Sequence, residues 1–264
     1  MANTSALLNV MITAARDAGK SLRRDYFEVD ALQVSRKGAA DFVSVADTNA
    51  EKAVYESLSK ARPKYGFVME EGGEIEGSDN SNRWFIDPLD GTTNFLHGIP
   101  QFAVSIGLER DREPYAGVVY NPITDELFYA EKGFGCFVND RRLRVSGRND
   151  LTECLFAHGL PYKGKAGADI ALRETNNVLA ETAGMRRFGA ASLDLAMVAM
   201  GRFDAYWERM LSPWDICAGA VLVREAGGTV SELDAEGGRP HLKGEILATN
   251  GHIHDAARAL IRRG

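Results

Sequence analysis

Cysteine is scarce: Cys136, Cys154 and Cys217 are the only three in 264 residues. They are odd in number, far apart, and without the paired spacing of a zinc site or a dithiol motif, so they fit a reducing compartment rather than a disulfide framework. Long hydrophobic runs are missing as well, and no stretch approaches membrane-spanning length. The N-terminal Met1-Ala2-Asn3-Thr4-Ser5-Ala6-Leu7-Leu8 has no basic start before its apolar residues, and Arg16, Asp17 and Lys20 soon follow, so it does not read as a signal peptide. The expected location is the cytoplasm, away from membranes. Positive charge is also in deficit, with 31 basic against 37 acidic residues and a formal charge of -6. Phosphate backbones are bound through local surpluses of Lys and Arg, so this balance argues against a nucleic-acid partner. The basic pairs Arg23-Arg24, Arg141-Arg142 and Arg186-Arg187 are short and read as solvated surface.

What the chain does have is 45% hydrophobic residues, enough for a large core in one domain over 1–264, with approximate halves 1–147 and 148–264. Leu7, Leu8, Met11, Ile12, Ala15 and Ala18 stand at helical spacing in the first 24 residues, capped by Asn3 or Thr4. Residues 31–46 alternate in short extended runs around Lys37-Gly38 and read as a hairpin, followed by a helix over 47–61. Two core strands, at 66–69 and 83–86, each end in an acid. An antiparallel meander is expected from 102 to 138, and helices near 168–182, 190–201, 213–226 and 252–262. No linker, repeat or low-complexity tract interrupts this order, and the simplest reading is a mixed, layered α/β architecture.

The most informative stretch is Asp87-Pro88-Leu89-Asp90-Gly91-Thr92-Thr93-Asn94-Phe95, where an apolar strand empties into two acids and a glycine-threonine turn. Two carboxylates three residues apart, with proline fixing the chain between them, can converge on one point. Hard cations such as Mg²⁺ want oxygen ligands of this kind, and the Leu89 carbonyl is a further candidate. Gly91-Thr92-Thr93 would open a short helix whose backbone N–H groups can receive a phosphate. The plainer alternatives are a tight Asp90-Gly91 turn with Asp87 as a cap, and Asp215 as an ordinary helix cap. Gathering Glu70, Asp87, Asp90 and Asp215 in one partly buried place forces them to protonate or to bind metal.

These residues, with Trp214-Asp215-Ile216-Cys217-Ala218-Gly219, resemble the two signatures of the inositol monophosphatase family. The resemblance extends over nearly the whole chain through Lys37-Gly38-Ala39-Ala40-Asp41 with Asp47, the Glu70-Glu71 pair, Gly189-Ala190-Ala191-Ser192-Leu193-Asp194, and Asp204-Ala205-Tyr206-Trp207-Glu208. It implies an αβαβα layered sandwich, a homodimer, Mg²⁺ dependence with two to three ions per site, and sensitivity to Li⁺. By matching position, Glu70, Asp87 and the Leu89 carbonyl would hold one metal, Asp87, Asp90 and Asp215 a second, and Glu70 with water a looser third. Gly91 and Thr92 would bind phosphate oxygens. Thr92, hydrogen-bonded to Asp47, would join Glu70 in activating water, while Asp90, Gly189, Ala191, Glu208 and Asp215 would surround the substrate and Lys37 would tune a mobile metal loop.

The implied reaction is hydrolysis of a small phosphomonoester, foremost inositol 1-phosphate. Relatives on the same scaffold act on fructose bisphosphate, histidinol phosphate, 3'-phosphoadenosine-5'-phosphate or NADP, and some bacterial members also partner transcription or ribosome-assembly machinery, a second role open to this chain. Ala190 stands where many relatives carry Ser or Thr, suggesting a missing polar contact near the polyol pocket. Glu208 could instead pair with Arg209 or Arg187. The P-loop-like run Gly159 to Ala166 lacks the hydroxyl that would ligate Mg²⁺ and reads as a surface loop. Gly133-Phe134-Gly135 reads as a hairpin turn, His252 and His254 as a solvated cap region, and His97 as structural.

Overall fold

A computed structural model of the chain describes residues 4–32, 36–161, 166–235 and 238–263, with backbone alone for 29–32 and 36–44. The helical spacing near the N-terminus forms α1 (Ala6–Leu32). Leu8, Met11, Ala15, Ala18 and Leu22 are fully buried on its inner stripe. Its cap is Ser5 rather than Thr4, since the Ser5 hydroxyl accepts from the Leu8 N–H at 3.1 Å, and Asn3 lies outside the described residues. In place of the hairpin expected over 31–46, residues 31–32 end α1 and 36–46 belong to α2, which runs from Arg36 to Ala61, while 33–35 lie outside the described residues. Ala46, Ala50, Val54 and Leu58 form a buried i+4 stripe on it, and the proline-free, alanine-containing sequence before them lets the helix extend back to Arg36. Lys37 therefore sits on helical backbone rather than on a loop, and its side chain lies outside the described residues.

Against this pair lies an eight-stranded sheet of β1 (Tyr65–Met69), β2 (Gly73–Ile75), β3 (Asp79–Asp90), β4 (Ala103–Arg110), β5 (Glu113–Asn121), β6 (Glu126–Glu131), β7 (Gly135–Val138) and β8 (Arg141–Arg142), in the order β2-β1-β3-β4-β5-β6-β7-β8. β1 and β3 are parallel and the other neighbours antiparallel. A short helix, α3 (Thr92–Leu96), follows β3.

The second sheet has five strands, β9 (Leu155–His158), β10 (Gly184–Arg186), β11 (Ala205–Arg209), β12 (Thr229–Ser231) and β13 (Glu245–Thr249), in the order β10-β9-β11-β13-β12. α5 (Ala191–Ala199) and α6 (Pro213–Glu225) fill the layer between the sheets. α4 (Ala168–Glu181) and α8 (His254–Ile261) cover the outer face of the second sheet, and α7 (Pro240–Lys243) packs beside α6. The layers run helix, sheet, helix, sheet, helix, as the αβαβα expectation had it.

One contact fixes where α6 sits. A Cβ on Gly107 of β4 would lie 2.6 Å from Cys217 Sγ, and one on Gly117 of β5 would lie 2.4 Å from the Ala218 carbonyl oxygen. The helix thus lies directly on the sheet backbone, and its first turn, which carries Asp215, is held at a set height above the strands. Gly117→Ala is expected to destabilise the protein by about 1–3 kcal/mol through overpacking, read as a lowered Tm with circular dichroism; an unchanged Tm would show that the layer has slack.

Candidate active site

The parallel pairing of β1 with β3 aligns Met69 with Ile86. The next residue on each strand, Glu70 and Asp87, therefore emerges at the same sheet end, and their carboxyls are hydrogen-bonded to each other. Bringing Asp90 into the same place requires more. Residues three apart on a regular strand point to opposite faces. Across from β3, however, Asp87 pairs with Ser105 and Asp90 with Ala103, so three steps on β3 match two on β4. The Pro88-Leu89 bulge absorbs the extra residue and turns both acids to one side. The Leu89 N–H donates to Asp87 Oδ1 at 2.9 Å, bracing the bulge.

Two helix starts complete the cluster. At α6, Ser212 and Asp215 form a reciprocal capping box in which the Ser212 N–H donates to Asp215 Oδ2 at 2.7 Å. Asp215 thus is the third helical residue of the box and not the N-cap of the plainer reading, which is Ser212, and it brings one oxygen within 4.8 Å of oxygens of Asp87 and Asp90. At α5, Asp90 accepts from the Ala191 N–H at 3.2 Å and from the Ser192 N–H and hydroxyl at 2.7 and 2.5 Å. Ala190 is the N-cap residue of α5, with no side-chain bond, and is 1% exposed. Its methyl lies in the middle-layer core and makes no polar contact, and Asp90 supplies the capping oxygen from another strand.

Burial and mutual repulsion set the protonation of these groups. Burial first, then the Glu70, Asp90 and Asp215 charges, push Asp87 well above the usual carboxylate range. Asp90 rises to about 7 through burial and Asp215, opposed by its Ser192 hydrogen bonds. Burial also raises Glu70. Asp47 is pushed up to about 8 by burial and then by Glu70, Glu71 and Glu51, and its Oδ1 is buried with no hydrogen-bond partner among the described residues.

A cavity of about 320 Å³ opens above the cluster, lined by Glu70, Asp87, Leu89, Asp90, Gly91, Thr92, Gly189, Ala191, Glu208 and Asp215 among the expected residues. Asp47 is not part of that lining. Thr92 also departs from expectation: its hydroxyl donates to the Leu89 carbonyl at 3.1 Å rather than to Asp47. The first turn of α3 places that hydroxyl over the carbonyl three residues back. Gly91 caps this helix at φ 97°, and a Cβ there would lie 2.8 Å from the Gln101 carbonyl oxygen.

Glu208 enters from β11. Strand alternation puts it on the face opposite Arg209, which is paired with Glu174, Asp234 and Glu245 at 2.8–2.9 Å. Pairing of Glu208 with Arg209 is therefore ruled out. Burial raises Glu208 to about 7, while the Tyr206 hydroxyl, donating to its Oε2, lowers it. The sequence reading missed Gly159, Asn94, Ser212 and Trp214 in the lining. The Ser-x-x-Asp pattern could have flagged Ser212. Arg187, read both as solvated surface and as an alternative partner of Glu208, lines the same cavity as Glu208. Residues 162–165 of the surface loop expected over Gly159 to Ala166 lie outside the described residues. His97 is exposed at the end of α3 and absent from the lining. His254, expected in solvent, is buried between Ser231 and Thr249 at 3.0 and 2.9 Å.

Comparison with known proteins follows this geometry. The profile of the inositol monophosphatase family matches residues 3–263. The chain is 55% identical over 259 residues to an inositol-1-monophosphatase of Rhizobium meliloti, covering 98% of this chain and 97% of that one. It is 43% identical to the protein named Nus factor SuhB in Escherichia coli, over 97% of this chain and 96% of that one. The crystal structure of extragenic suppressor protein suhB from Bartonella henselae superposes with a TM-score of 0.90 at 55% identity, covering 98% of this chain and all (100%) of that one. With matching extent, sequence and fold, the chain belongs to the inositol monophosphatase family.

Proposed function

We propose that this protein is a Mg²⁺-dependent phosphomonoesterase that hydrolyses inositol 1-phosphate to inositol and phosphate. The observation that carries the reading is the convergence of Asp87, Asp90 and Asp215 oxygens within 4.8 Å at the floor of a cavity that Glu208 also lines. The donor set fits a hard cation: every candidate ligand is oxygen, Asp87 and Asp90 are buried with Asp215 half-buried beside them and Glu70 at the exposed edge, and no Lys or Arg charge is among the causes that shift Glu70, Asp87 or Asp90. Glu70, Asp87, the Leu89 carbonyl, Asp90 and Asp215 would hold the metal. When bound, Mg²⁺ supplies neutralising charge for the phosphoryl oxygens and acidifies water.

The chain's own residues then position and select. Gly91 and Thr92 open α3, whose first N–H groups have no partner within the helix and can donate to phosphate oxygens. Glu70, at the cavity wall, can accept a proton from an attacking water. Glu208 offers a carboxylate to the hydroxyls of a polyol ring, with Gly189 and Ala191 leaving room beside it. Placement in the cytoplasm, assembly as a homodimer, inhibition by Li⁺ and tuning by Lys37 belong to the same proposal through the family resemblance. A second role, as a partner of transcription machinery, is favoured by relatives named Nus factor SuhB at 43–46% identity; co-purification of transcription proteins with a catalytically inactive variant would support it, and their absence would count against it.

Asp90→Asn leaves one oxygen to accept from Ser192 at the α5 cap and should keep the fold while lowering kcat at least about a hundredfold, ~3 kcal/mol of barrier; near-normal turnover would sink the metal assignment. Removing the metal has a signature in stability. Asp47 and Asp90 are raised from 3.8 to about 8 and about 7, so the folded state holds protons that the unfolded chain has released. Their contribution is present below the unfolded value and is lost as pH rises through the folded values. His158 and His254, lowered from 6.5 to about 4, act in the opposite sense, at lower pH. In EDTA the Tm should therefore fall between pH 6.5 and 8.5, and added Mg²⁺ should restore more of it at pH 8.5. A flat metal-free profile would contradict the cluster's electrostatics. For substrate choice, inositol 1-phosphate should exceed 3'-phosphoadenosine-5'-phosphate in kcat/KM. Glu208→Gln should raise KM for inositol 1-phosphate and spare p-nitrophenyl phosphate; equal losses on both would leave only a metal phosphatase.

A further inference from the structure

Glu208 is held from two sides by residues that no part of the proposed chemistry uses. Tyr206 stands two residues earlier on β11, so its side chain leaves the strand on the same face, toward the middle layer. It is fully buried there, and its hydroxyl donates to Glu208 Oε2. From the opposite side comes the backbone of Gly159: a Cβ at that position would fall 2.0 Å from both carboxylate oxygens. Oε1 accepts no hydrogen bond from any described residue. A glutamate carboxylate otherwise rotates over a broad range about its last torsion. Here one oxygen is claimed by a phenol anchored in the core and the whole group rests on a bare stretch of backbone.

We propose that Tyr206 is a positioning residue for substrate selection, fixing the Glu208 carboxylate through Oε2 so that Oε1 is presented, already oriented, to the hydroxyls of a polyol leaving group. Gly159 is the floor of the same device, since any side chain there would displace the carboxylate. Tyr206 touches no substrate; it acts only through Glu208. This inference rests on the reading of Glu208 as the polyol contact. It adds that the contact is preorganised, so the cost of ordering the carboxylate falls on folding rather than on binding.

The test compares wild type, Tyr206→Phe, Glu208→Gln and the double variant on inositol 1-phosphate and on p-nitrophenyl phosphate, with Mg²⁺ present. Tyr206→Phe should raise KM for inositol 1-phosphate about three- to tenfold, with kcat and all constants for the aryl phosphate held within about twofold. Because Tyr206 works through Glu208, the double variant should be no worse than Glu208→Gln alone. Additive losses, an unchanged KM, or parallel losses on both substrates would overturn the proposal, the last marking Tyr206 as merely structural. If Tyr206→Phe fails to fold, Gly159→Ala presses on the same carboxylate from the other side and should give the same substrate-selective rise; a general loss would refute it. The two readings fail separately. Glu208→Gln without effect on inositol phosphate removes the polyol contact and this inference with it, whereas an effect of Glu208→Gln with none from Tyr206→Phe removes only the role of Tyr206.

Discussion

Repulsion among carboxylates packed into one poorly solvated place is the constraint on which the rest of this molecule turns. Glu70, Asp87, Asp90 and Asp215 come from two parallel strand ends, a bulge and a helix start, and each element is pinned by something other than the acids themselves. The β1–β3 register aligns the first pair. The Pro88-Leu89 bulge brings in Asp90, and a helix laid on two glycines brings in Asp215. Left to side-chain forces alone these groups would separate. The backbone prevents it, so the strain is relieved by protons or by a cation. Asp90 shows the balance: three hydrogen bonds from α5 favour its ionised form and burial opposes it.

Much of this was legible in the amino-acid order because the signals are local. An apolar strand running into acids, proline between two aspartates, and Ser-x-x-Asp before an apolar helix each report a nearby backbone shape. The bulge was only half visible. Pro88 announces a break, but the parity that swings Asp90 to the side of Asp87 depends on pairing with β4, where Asp87 meets Ser105 and Asp90 meets Ala103. The region before Asp47 was misread for a different reason: short alternation around Lys37-Gly38 is compatible with extended chain, and the outcome was decided by a buried stripe further along, from Ala46 to Leu58. Thr92 failed similarly: its expected contact with Asp47 came from likeness to relatives, whereas the Leu89 carbonyl, supplied by this fold, took that place.

Glu208 illustrates what composition hides. Next to Arg209 in sequence it invites an ion pair, yet strand alternation sends the two to opposite faces, one toward the cavity and one into a network with Glu174, Asp234 and Glu245. The residues that do govern it, Tyr206 and Gly159, carry no motif. A buried tyrosine reads as core, and a glycine at the end of a strand reads as a turn. Their meaning appears only when the second sheet is folded and β9 lies beside β11.

The contact of α6 with the sheet has a further consequence, for how such a chain can drift. Gly107 and Gly117 leave no room for a methyl beneath Cys217 and Ala218. A larger residue at any one of these four positions would lift the helix and carry Asp215 away from Asp87, damaging the site without touching it. Only paired replacements, one shrinking as another grows, keep the spacing, so these four buried positions should covary among descendants of this sequence while the surface around them diverges freely.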